Sequence, residues 1–171
     1  MEETPQSLEQ LANIKKFLVE ANRAGYGSGE EQVWTKEADG STTISYESAD
    51  KAWRFHDNFF GGEPYGGREI IFKDGHSEWM MIYYGEVSDK EIEKSAAYAF
   101  LRKALMNAPE DLPVRGPVHM SEVIDGKEWT YDNIYTGDLG RFSGHEYIKV
   151  DGKEIYDAEY AGGLVDVTRG V

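Results

Sequence analysis

The sequence predicts an α+β fold in which two helices pack on a strongly bent antiparallel sheet, or partial barrel, made by two duplicated halves. Three observations support this prediction. Apolar residues recur every three to four positions in two segments, and every second position in the segments between them. The elements follow the order helix, strands, helix, strands. A motif in the first half also returns 77 residues later.

The composition excludes several classes of protein. The 171 residues include 18 basic and 32 acidic side chains, which gives a net charge of −14, and there is no cysteine. This acidic charge repels phosphate backbones, so we expect no direct nucleic-acid partner. No apolar stretch approaches the roughly 20 residues of a membrane helix, and the acidic N-terminus does not resemble a signal peptide. We therefore expect a soluble, cytoplasmic, single domain spanning residues 1–171.

Two segments have the periodicity and end signals of amphipathic helices. The first is expected at about residues 5 to 24, with N-terminal signals at Thr4 and Pro5. Its apolar stripe consists of Leu8, Leu11, Ile14, Leu18 and Ala21. The second is expected at about residues 89 to 107, where Ser88 and Glu91 form a capping box and Pro109 ends the helix.

Two regions alternate apolar and polar residues with the period of strands. Five strands are expected before the second helix, at Val33–Thr35, Thr42–Tyr46, Trp53–Phe60, Arg68–Phe72 and Glu78–Tyr84. Four are expected after it, at Glu128–Tyr135, Phe142–Val150, Glu154–Ala161 and Leu164–Val167.

An internal duplication is predicted from an ungapped match between the halves. The segment Tyr65–Gly85 aligns with Phe142–Gly162, so that Glu69 corresponds to Glu146. Because each half is too small to bury its apolar face alone, we expect repeats of about 8–87 and 88–167 to share one core.

Each of these segments contains an Asp-Gly pair, which favours a two-residue type I′ hairpin turn. With that turn and regular pairing, one face carries Ile70, Phe72, Trp79, Met81 and Tyr83 in the first hairpin, and Tyr147, Tyr156, Ala158 and Tyr160 in the second. The opposite face carries Glu69, Ile71, Met80 and Ile82, and Glu146, Ile148, Val150, Ile155 and Asp157. A one-residue bulge would reverse part of this assignment. Trp79 and Tyr156 are expected to be mostly buried.

The aromatic face is either a core with polar tips or the wall of a pocket. The candidate ligand-binding residues are Glu69, Trp79, Tyr83, Arg115, Glu146, Tyr156 and Tyr160. A pseudo-twofold axis could bring the two glutamates together, and two close carboxylates do not both ionise easily, which suits an acid/base pair. Alternatively, each glutamate caps a backbone group or pairs with an arginine such as Arg68, Arg115 or Arg141. Arg115 is expected on a stiff exposed loop between prolines, where it could clamp an anionic ligand.

Metal and cofactor motifs are missing from the sequence. The four histidines, His56, His76, His119 and His145, have no metal-ligand spacing, and there is no cysteine to complete a zinc site. Nucleophile-elbow, P-loop and dinucleotide fingerprints are also absent. We therefore predict no metal and no cofactor.

Five ordered motifs resemble a known prokaryotic domain-of-unknown-function family. They are Phe55–Gly62, Trp79–Gly85, Pro113–Pro117, Phe142–Glu146 and Tyr160–Gly163. Members of that family occur alone or C-terminal to XRE-type helix-turn-helix modules. The resemblance covers about residues 8 to 165 and implies no known activity, but its context suggests a sensing or regulatory accessory domain.

Three functional hypotheses follow from the sequence. The first is small-molecule binding or sensing in a pocket between the halves. The second is a hydrolase or isomerase that uses Glu69 and Glu146 as acid and base. The third is a protein-interaction module, with a homodimer as one form. A closed pocket would favour the first two hypotheses, and a flat exposed aromatic patch would favour the third.

Overall fold

A computed structural model describes residues 5–24 and 33–165 of the chain. In this part, two helices, α1 (Pro5–Arg23) and α2 (Lys94–Met106), accompany nine strands. The strands are β1 (Val33–Lys36), β2 (Thr42–Glu47), β3 (Trp53–Gly61), β4 (Tyr65–Lys73), β5 (His76–Val87), β6 (His119–Ile124), β7 (Lys127–Asp138), β8 (Arg141–Val150) and β9 (Lys153–Leu164).

All nine described strands form one antiparallel sheet in the order β1-β2-β3-β4-β5-β9-β8-β7-β6. Strands β1 to β5 run as a meander from one edge to the centre. After α2 the chain begins again at the other edge with β6 and returns inward, until β9 pairs with β5. The structure is α+β, but the predicted strongly bent sheet or partial barrel is wrong. The nine described strands form most of the structure as one sheet that does not close, with β1 and β6 at opposite edges.

Both helices pack on the same face of this sheet. Residues of α1, among them Ile14, Phe17 and Leu18, share a core cluster with Phe55 and Trp79. A second cluster joins α2 to the other half of the sheet through Phe100, Leu101, Trp129, Tyr131, Ile148 and Tyr156. The opposite face of the sheet exposes Ile82, Tyr84 and Ile134. In the described residues, the helices therefore cover one face of the sheet and leave the other face open.

The first helix agrees with its prediction, whereas the second begins later than expected. Helix α2 starts at Lys94, and its N-cap residue Glu93 makes no side-chain capping bond. The predicted capping box is wrong, because Asp89 Oδ1 accepts a hydrogen bond from the Glu91 backbone N–H at 3.0 Å. This local Asx-type bond holds the segment in a turn, which competes with a helical start.

The expected strands before α2 are confirmed, and the second half shows two differences. Strand β6 was not predicted; it is an edge strand that turns into β7 through Asp125 and Gly126, both with positive φ. Strand β9 continues unbroken to Leu164. The prediction that a separate strand begins at Leu164 is therefore wrong. Residues 166 and 167 lie outside the described residues.

Both predicted type I′ turns are present. The φ angles are 50° and 83° at Asp74 and Gly75, and 49° and 79° at Asp151 and Gly152. However, each hairpin contains a bulge: β5 has one extra residue, Glu78, opposite Ile71 and Phe72, and β9 has one extra residue, Ile155, opposite Ile148 and Lys149. Each bulge shifts the pairing of the hairpin by one position, so the residues of β4 and β8 that precede it share a face with different residues of β5 and β9 than predicted. The predicted faces of β4 and β8 are therefore wrong before the bulges: Glu69, Ile71, Glu146 and Ile148 share the covered face with Trp79, Met81, Tyr83, Tyr156, Ala158 and Tyr160.

The two central hairpins have matching registers. Gly67 lies opposite Tyr83 in the first hairpin, and Gly144 lies opposite Tyr160 in the second. At the centre of the sheet Tyr83 pairs with Tyr160 itself. Corresponding residues of the two hairpins thus lie across a local pseudo-twofold axis. A single domain that arose by duplication, with repeats of about 8–87 and 88–167, stays a prediction.

Candidate functional site

Glu146 lies in β8 beneath the helices, with none of its surface exposed. Arg115 Nε donates a hydrogen bond to Glu146 Oε2 at 3.0 Å, and Arg115 Nη2 donates to Glu146 Oε1. The hydroxyls of Tyr131 and Tyr156 donate to the same two oxygens at 2.5 and 2.9 Å. The predicted alternative in which a glutamate pairs with an arginine is confirmed for Glu146. Both oxygens of this carboxylate are fully engaged, so its role is structural.

The loop that carries Arg115 is buried, and the expectation of an exposed loop is wrong. The Arg115 residue is only 6% exposed. The Gly116 N–H donates to the Tyr131 hydroxyl at 3.1 Å, and Asn133 Nδ2 donates to the Gly116 carbonyl at 3.1 Å. These bonds hold the guanidinium against Glu146. The carboxylate that Arg115 clamps is therefore the protein's own.

Asp57 and Glu69 form a second acidic pair on neighbouring strands. They lie directly opposite each other on β3 and β4. Asp57 Oδ1 accepts a hydrogen bond from the Tyr83 hydroxyl at 2.5 Å. The Glu69 residue is 6% exposed, yet its carboxyl makes no hydrogen bond or ion pair with any residue that the structure describes. The residue is therefore mostly buried, but its two oxygens are not among the sealed side-chain atoms that lack a partner, so they stay accessible from the neighbouring cavity.

The acidic pair is set to hold a proton near neutral pH. Burial, and then the negative charge of Asp57, raises the pKa of Glu69 to about 8. Burial also raises the pKa of Asp57 to about 6, although the hydrogen bond from Tyr83 and the charge of Arg115 act in the opposite direction. Because two adjacent carboxyls resist simultaneous ionisation, the pair as a whole takes up the proton.

The two halves of the sheet explain why Glu69 lacks the partners that Glu146 has. Tyr131 and Tyr156 both lie opposite Ile148, and the positions that lie opposite Ile71 in the first half are Phe55 and Trp79. Neither side chain brings a hydroxyl to the carboxyl. The Trp79 indole N–H donates instead to the Leu139 carbonyl at 2.9 Å. The first half therefore leaves its glutamate unsatisfied where the second half surrounds it with donors.

The unsatisfied Glu69 opens onto a cavity of about 340 Å³ between the sheet and α2. Three tyrosine rings form one wall: the Tyr65 centroid lies 5.9 Å from that of Tyr83 and 5.8 Å from that of Tyr98. The cavity is lined by Trp34, Asp57, Phe59, Gly61, Gly62, Tyr65, Glu69, Tyr83, Tyr98, Leu101, Arg102, Leu105 and Arg115. It combines aromatic walls with a few polar groups, a composition typical of ligand sites.

The structure brings three of the predicted binding residues, Glu69, Tyr83 and Arg115, to this cavity. It places Glu146 and Tyr156 behind them in the buried network, with the Tyr156 hydroxyl 2.6 Å from that of Tyr65. The two other predicted residues point elsewhere in the core: Tyr160 donates to Asn133 Oδ1 at 2.6 Å, and Trp79 stacks on Phe142.

Sequence reasoning missed Asp57, Tyr65 and Tyr98 as lining residues. A signal for Asp57 was present, because strand alternation from the apolar Phe55 places Asp57 on the same face. Tyr98 offered no comparable signal, since its position over the sheet depends on how α2 crosses it.

The described residues contain neither a metal-binding cluster nor a membrane-spanning helix. In residues 5–24 and 33–165, no group of three or more His, Cys, Asp or Glu side chains is arranged to hold a metal ion. Neither of the helices described in these ranges is long and apolar enough to cross a membrane.

The fold and the cavity define an α+β protein with an open antiparallel sheet and a buried acidic pair under its second helix. A family model described as a domain of unknown function, DUF5680, matches residues 57–165, and the chain belongs to this family. The predicted resemblance to a domain-of-unknown-function family is thus confirmed. Comparisons with curated proteins and with solved structures gave no match. Asp57, Glu69, Arg115 and Glu146 all lie within the matched region.

Replacing Glu69 by glutamine (Glu69→Gln) should stabilise the protein, and the gain should grow with pH. The pKa of Glu69 is raised on folding, so the folded state holds a proton that the unfolded state has lost. Its contribution to stability therefore falls as the pH rises from about 4.5 to about 8. A glutamine does not ionise. We expect the stabilisation by Glu69→Gln to increase by about 3 kcal/mol between about pH 5 and about pH 8, measured by urea unfolding.

The exposed Glu154→Gln variant on β9 is the matched control, because it removes the same charge without a buried site. It should change the free energy of unfolding by less than about 0.5 kcal/mol at either pH. An equal effect of Glu69→Gln at both pH values would contradict the raised pKa.

Proposed function

We propose that this protein binds a small molecule in the cavity between β3, β4, β5 and α2. The single observation that carries the proposal is Glu69, a residue only 6% exposed whose carboxyl makes no hydrogen bond or ion pair with the described residues and is reached from the cavity. Leaving such a group without a partner costs free energy. A ligand that supplies the missing partner recovers that free energy, and this gain favours binding.

Hydrogen bonds from residues behind the cavity hold several of its lining side chains in place, as in a preformed binding site. Arg115 is held by Glu146, and Tyr65 is held through its hydroxyl contact with Tyr156. The Tyr98 hydroxyl donates to Glu63 Oε2 at 2.5 Å, which ties α2 to the β3–β4 connection. Side chains fixed in this way lose little conformational entropy when a ligand binds.

A thermal-shift screen with a cavity-filling variant tests the proposal. Leu101 lines the cavity, and Leu101→Trp places a large ring in it. Met106→Trp, on the exposed side of the same helix, is the matched control. The panel contains cationic, neutral and anionic probes of metabolite size. We expect some of them to raise the unfolding temperature of the wild-type protein and of Met106→Trp, but not that of Leu101→Trp. Probe effects that are equal in all three proteins would contradict binding in this cavity.

A second candidate function is acid/base catalysis by a hydrolase or isomerase. The observation that favours it is the pairing of two carboxyls, Asp57 and Glu69, beside the Tyr83 hydroxyl. The acid/base pair predicted from the sequence was Glu69 with Glu146. Glu146 does not fit that role, because its oxygens already accept hydrogen bonds from Arg115 and two tyrosines. Turnover that is lost in Glu69→Gln, while ligand binding persists, would select catalysis over binding alone.

The family resemblance extends the proposal to regulation. If the relatives are prokaryotic proteins that also occur behind XRE-type helix-turn-helix modules, the bound molecule would be a cytoplasmic signal that is sensed by the domain. The interaction module and the homodimer stay predictions. The exposed row of Tyr84 and Ile134 on the uncovered face of the sheet is the surface that favours them.

A further inference from the structure

We infer that the ligand of this cavity is a small organic cation, a protonated amine or a quaternary ammonium, held between the Asp57–Glu69 carboxyl pair and the aromatic walls. This inference rests on the proposed function, because it names the chemical class of the molecule bound there.

The distribution of charge selects a cation. Arg115 forms a buried ion pair with Glu146, and its positive charge lowers the pKa of both Asp57 and Glu69 without forming an ion pair with either of them. In the described residues, no basic side chain lies within ion-pair distance of these two carboxyls, and the pKa of each stays raised despite Arg115. Arg102 also lines the cavity, but it is exposed to solvent on α2, where water screens its charge. An anionic ligand would have to lie beside two acidic groups, whereas a cation stabilises their ionised form.

The hydroxyl groups of the tyrosine wall are already engaged. The Tyr65 hydroxyl contacts that of Tyr156 at 2.6 Å, the Tyr83 hydroxyl donates to Asp57, and the Tyr98 hydroxyl donates to Glu63. The cavity therefore presents aromatic ring surfaces together with the carboxyl of Glu69. Ring faces attract cations through their quadrupole, and several rings around a carboxyl suit an ammonium group with attached carbon.

A metal ion does not fit the same surroundings. Calcium and magnesium require six or more oxygen ligands, from protein or water. Two carboxyls supply too few of these ligands, so water would have to provide most of the coordination in a cavity whose walls are largely aromatic and aliphatic. An organic cation carries its own apolar groups, which match the walls formed by Phe59, Leu101 and Leu105.

Binding of a cation should depend on pH. The charged and titratable groups that face Glu69 come from five neighbouring elements: Asp57 on β3, Tyr83 on β5, Glu146 on β8, Tyr98 and Arg102 on α2, and Arg115 on the loop after α2, with Tyr65 on β4 itself. Of these, Asp57 titrates together with Glu69. A bound cation favours the ionised pair, so we expect binding to release protons and affinity to rise between about pH 6 and about pH 8.

Calorimetric titration with two pairs of probes tests the inference. Each pair matches a cation with a neutral molecule of the same shape: choline with its uncharged carbon analogue, and benzylamine with benzyl alcohol. At about pH 8 we expect at least one cation to bind wild-type protein about tenfold more tightly than its neutral partner. In Glu69→Gln, the affinity for that cation should fall by about tenfold, whereas the affinity for the neutral partner should change less than about twofold.

Two further variants keep this test specific. Asp57→Asn retains an oxygen acceptor for the Tyr83 hydroxyl, just as Asn133 accepts from Tyr160 in the second half. It should also weaken cation binding. Since a chain of net charge −14 attracts every cation at long range, Glu154→Gln controls for the loss of one exposed charge and should bind the cations like wild type.

The outcomes separate this inference from the proposed function. Neutral probes that bind as tightly as the cations, or cation binding that Glu69→Gln leaves unchanged, would overturn the inference and leave the proposed function standing. The same holds if none of the four probes binds while other panel members bind in the cavity, or if calcium or magnesium binds there more tightly than either organic cation. Failure of every probe of the panel would overturn the proposed function itself.

Discussion

Replacement of Arg115 by methionine (Arg115→Met) should lower the free energy of unfolding by about 3 to 5 kcal/mol at neutral pH. Glu146 is completely buried, and its two oxygens accept two hydrogen bonds from Arg115. Without the guanidinium, a buried carboxylate loses its counter-charge and keeps only the hydroxyls of Tyr131 and Tyr156. Urea unfolding followed by tryptophan fluorescence measures the loss.

The double variant Arg115→Met with Glu146→Gln is the control for this effect. It removes both charges of the pair and keeps an amide where the two tyrosine hydroxyls need an acceptor. Because replacing both members of a buried ion pair is often close to neutral, the double variant should recover most of the stability. A single variant that loses less than about 1 kcal/mol would show that the pair does not hold the loop in place.

Replacement of Trp79 by alanine (Trp79→Ala) should cost about 3 to 5 kcal/mol of unfolding free energy. The sequence predicts that Trp79 is mostly buried, and the structure confirms this with 0% exposure. Its ring stacks on Phe142 with centroids 5.6 Å apart, and its indole N–H satisfies the Leu139 carbonyl. Alanine leaves a cavity in the core beneath α1 and an unsatisfied carbonyl, and both effects destabilise the fold.

Trp34→Ala provides the matched control, because Trp34 is 62% exposed on the edge strand β1. This variant should cost less than about 1 kcal/mol in the same thermal and urea experiments. Wild-type stability in Trp79→Ala would contradict a core position for Trp79.

The corresponding residues Glu69 and Glu146 have different roles in the two halves of the sheet: one lines the candidate site and the other supports the structure. In the second half, Arg115, Tyr131 and Tyr156 satisfy Glu146 completely, and the result is a rigid support. In the first half, Glu69 has no such donors and opens onto a cavity. An acidic pair of this kind destabilises the folded state, and this cost agrees with the proposed binding function better than with a purely structural role.

Local features were predictable because their causes lie within a few residues of each other. The apolar stripe at Leu11, Ile14 and Leu18 was sufficient to predict α1, and both Asp-Gly pairs form the expected type I′ turns. The burial of Trp79 and Tyr156 followed from their apolar neighbours. Strand β6 was missed, since an edge strand with mostly exposed side chains has no strong apolar alternation.

The face assignment of β4 and β8 depended on one residue that the sequence pattern does not reveal. The extra residues are Glu78 in β5 and Ile155 in β9, and they place Glu69 and Glu146 on the same face as Trp79 and Tyr156. Because side chains alternate along a strand, one inserted residue exchanges the faces that two paired strands share. Regular pairing would put each glutamate on the opposite face from those aromatic residues.

The sequence by itself determined the first helix, the presence and end of the second, both type I′ turns, most strands and the resemblance to a domain-of-unknown-function family. Only the tertiary structure decided that Arg115 pairs with Glu146, that Asp57 joins Glu69, and that β9 meets β5 at the centre of an open sheet. The physical reason is distance along the chain. Propensity, periodicity and turn chemistry act between residues that are close in sequence. Arg115, however, lies 31 residues from Glu146. The order of the strands depends on the connection through α2, which places β6 at the far edge of the sheet.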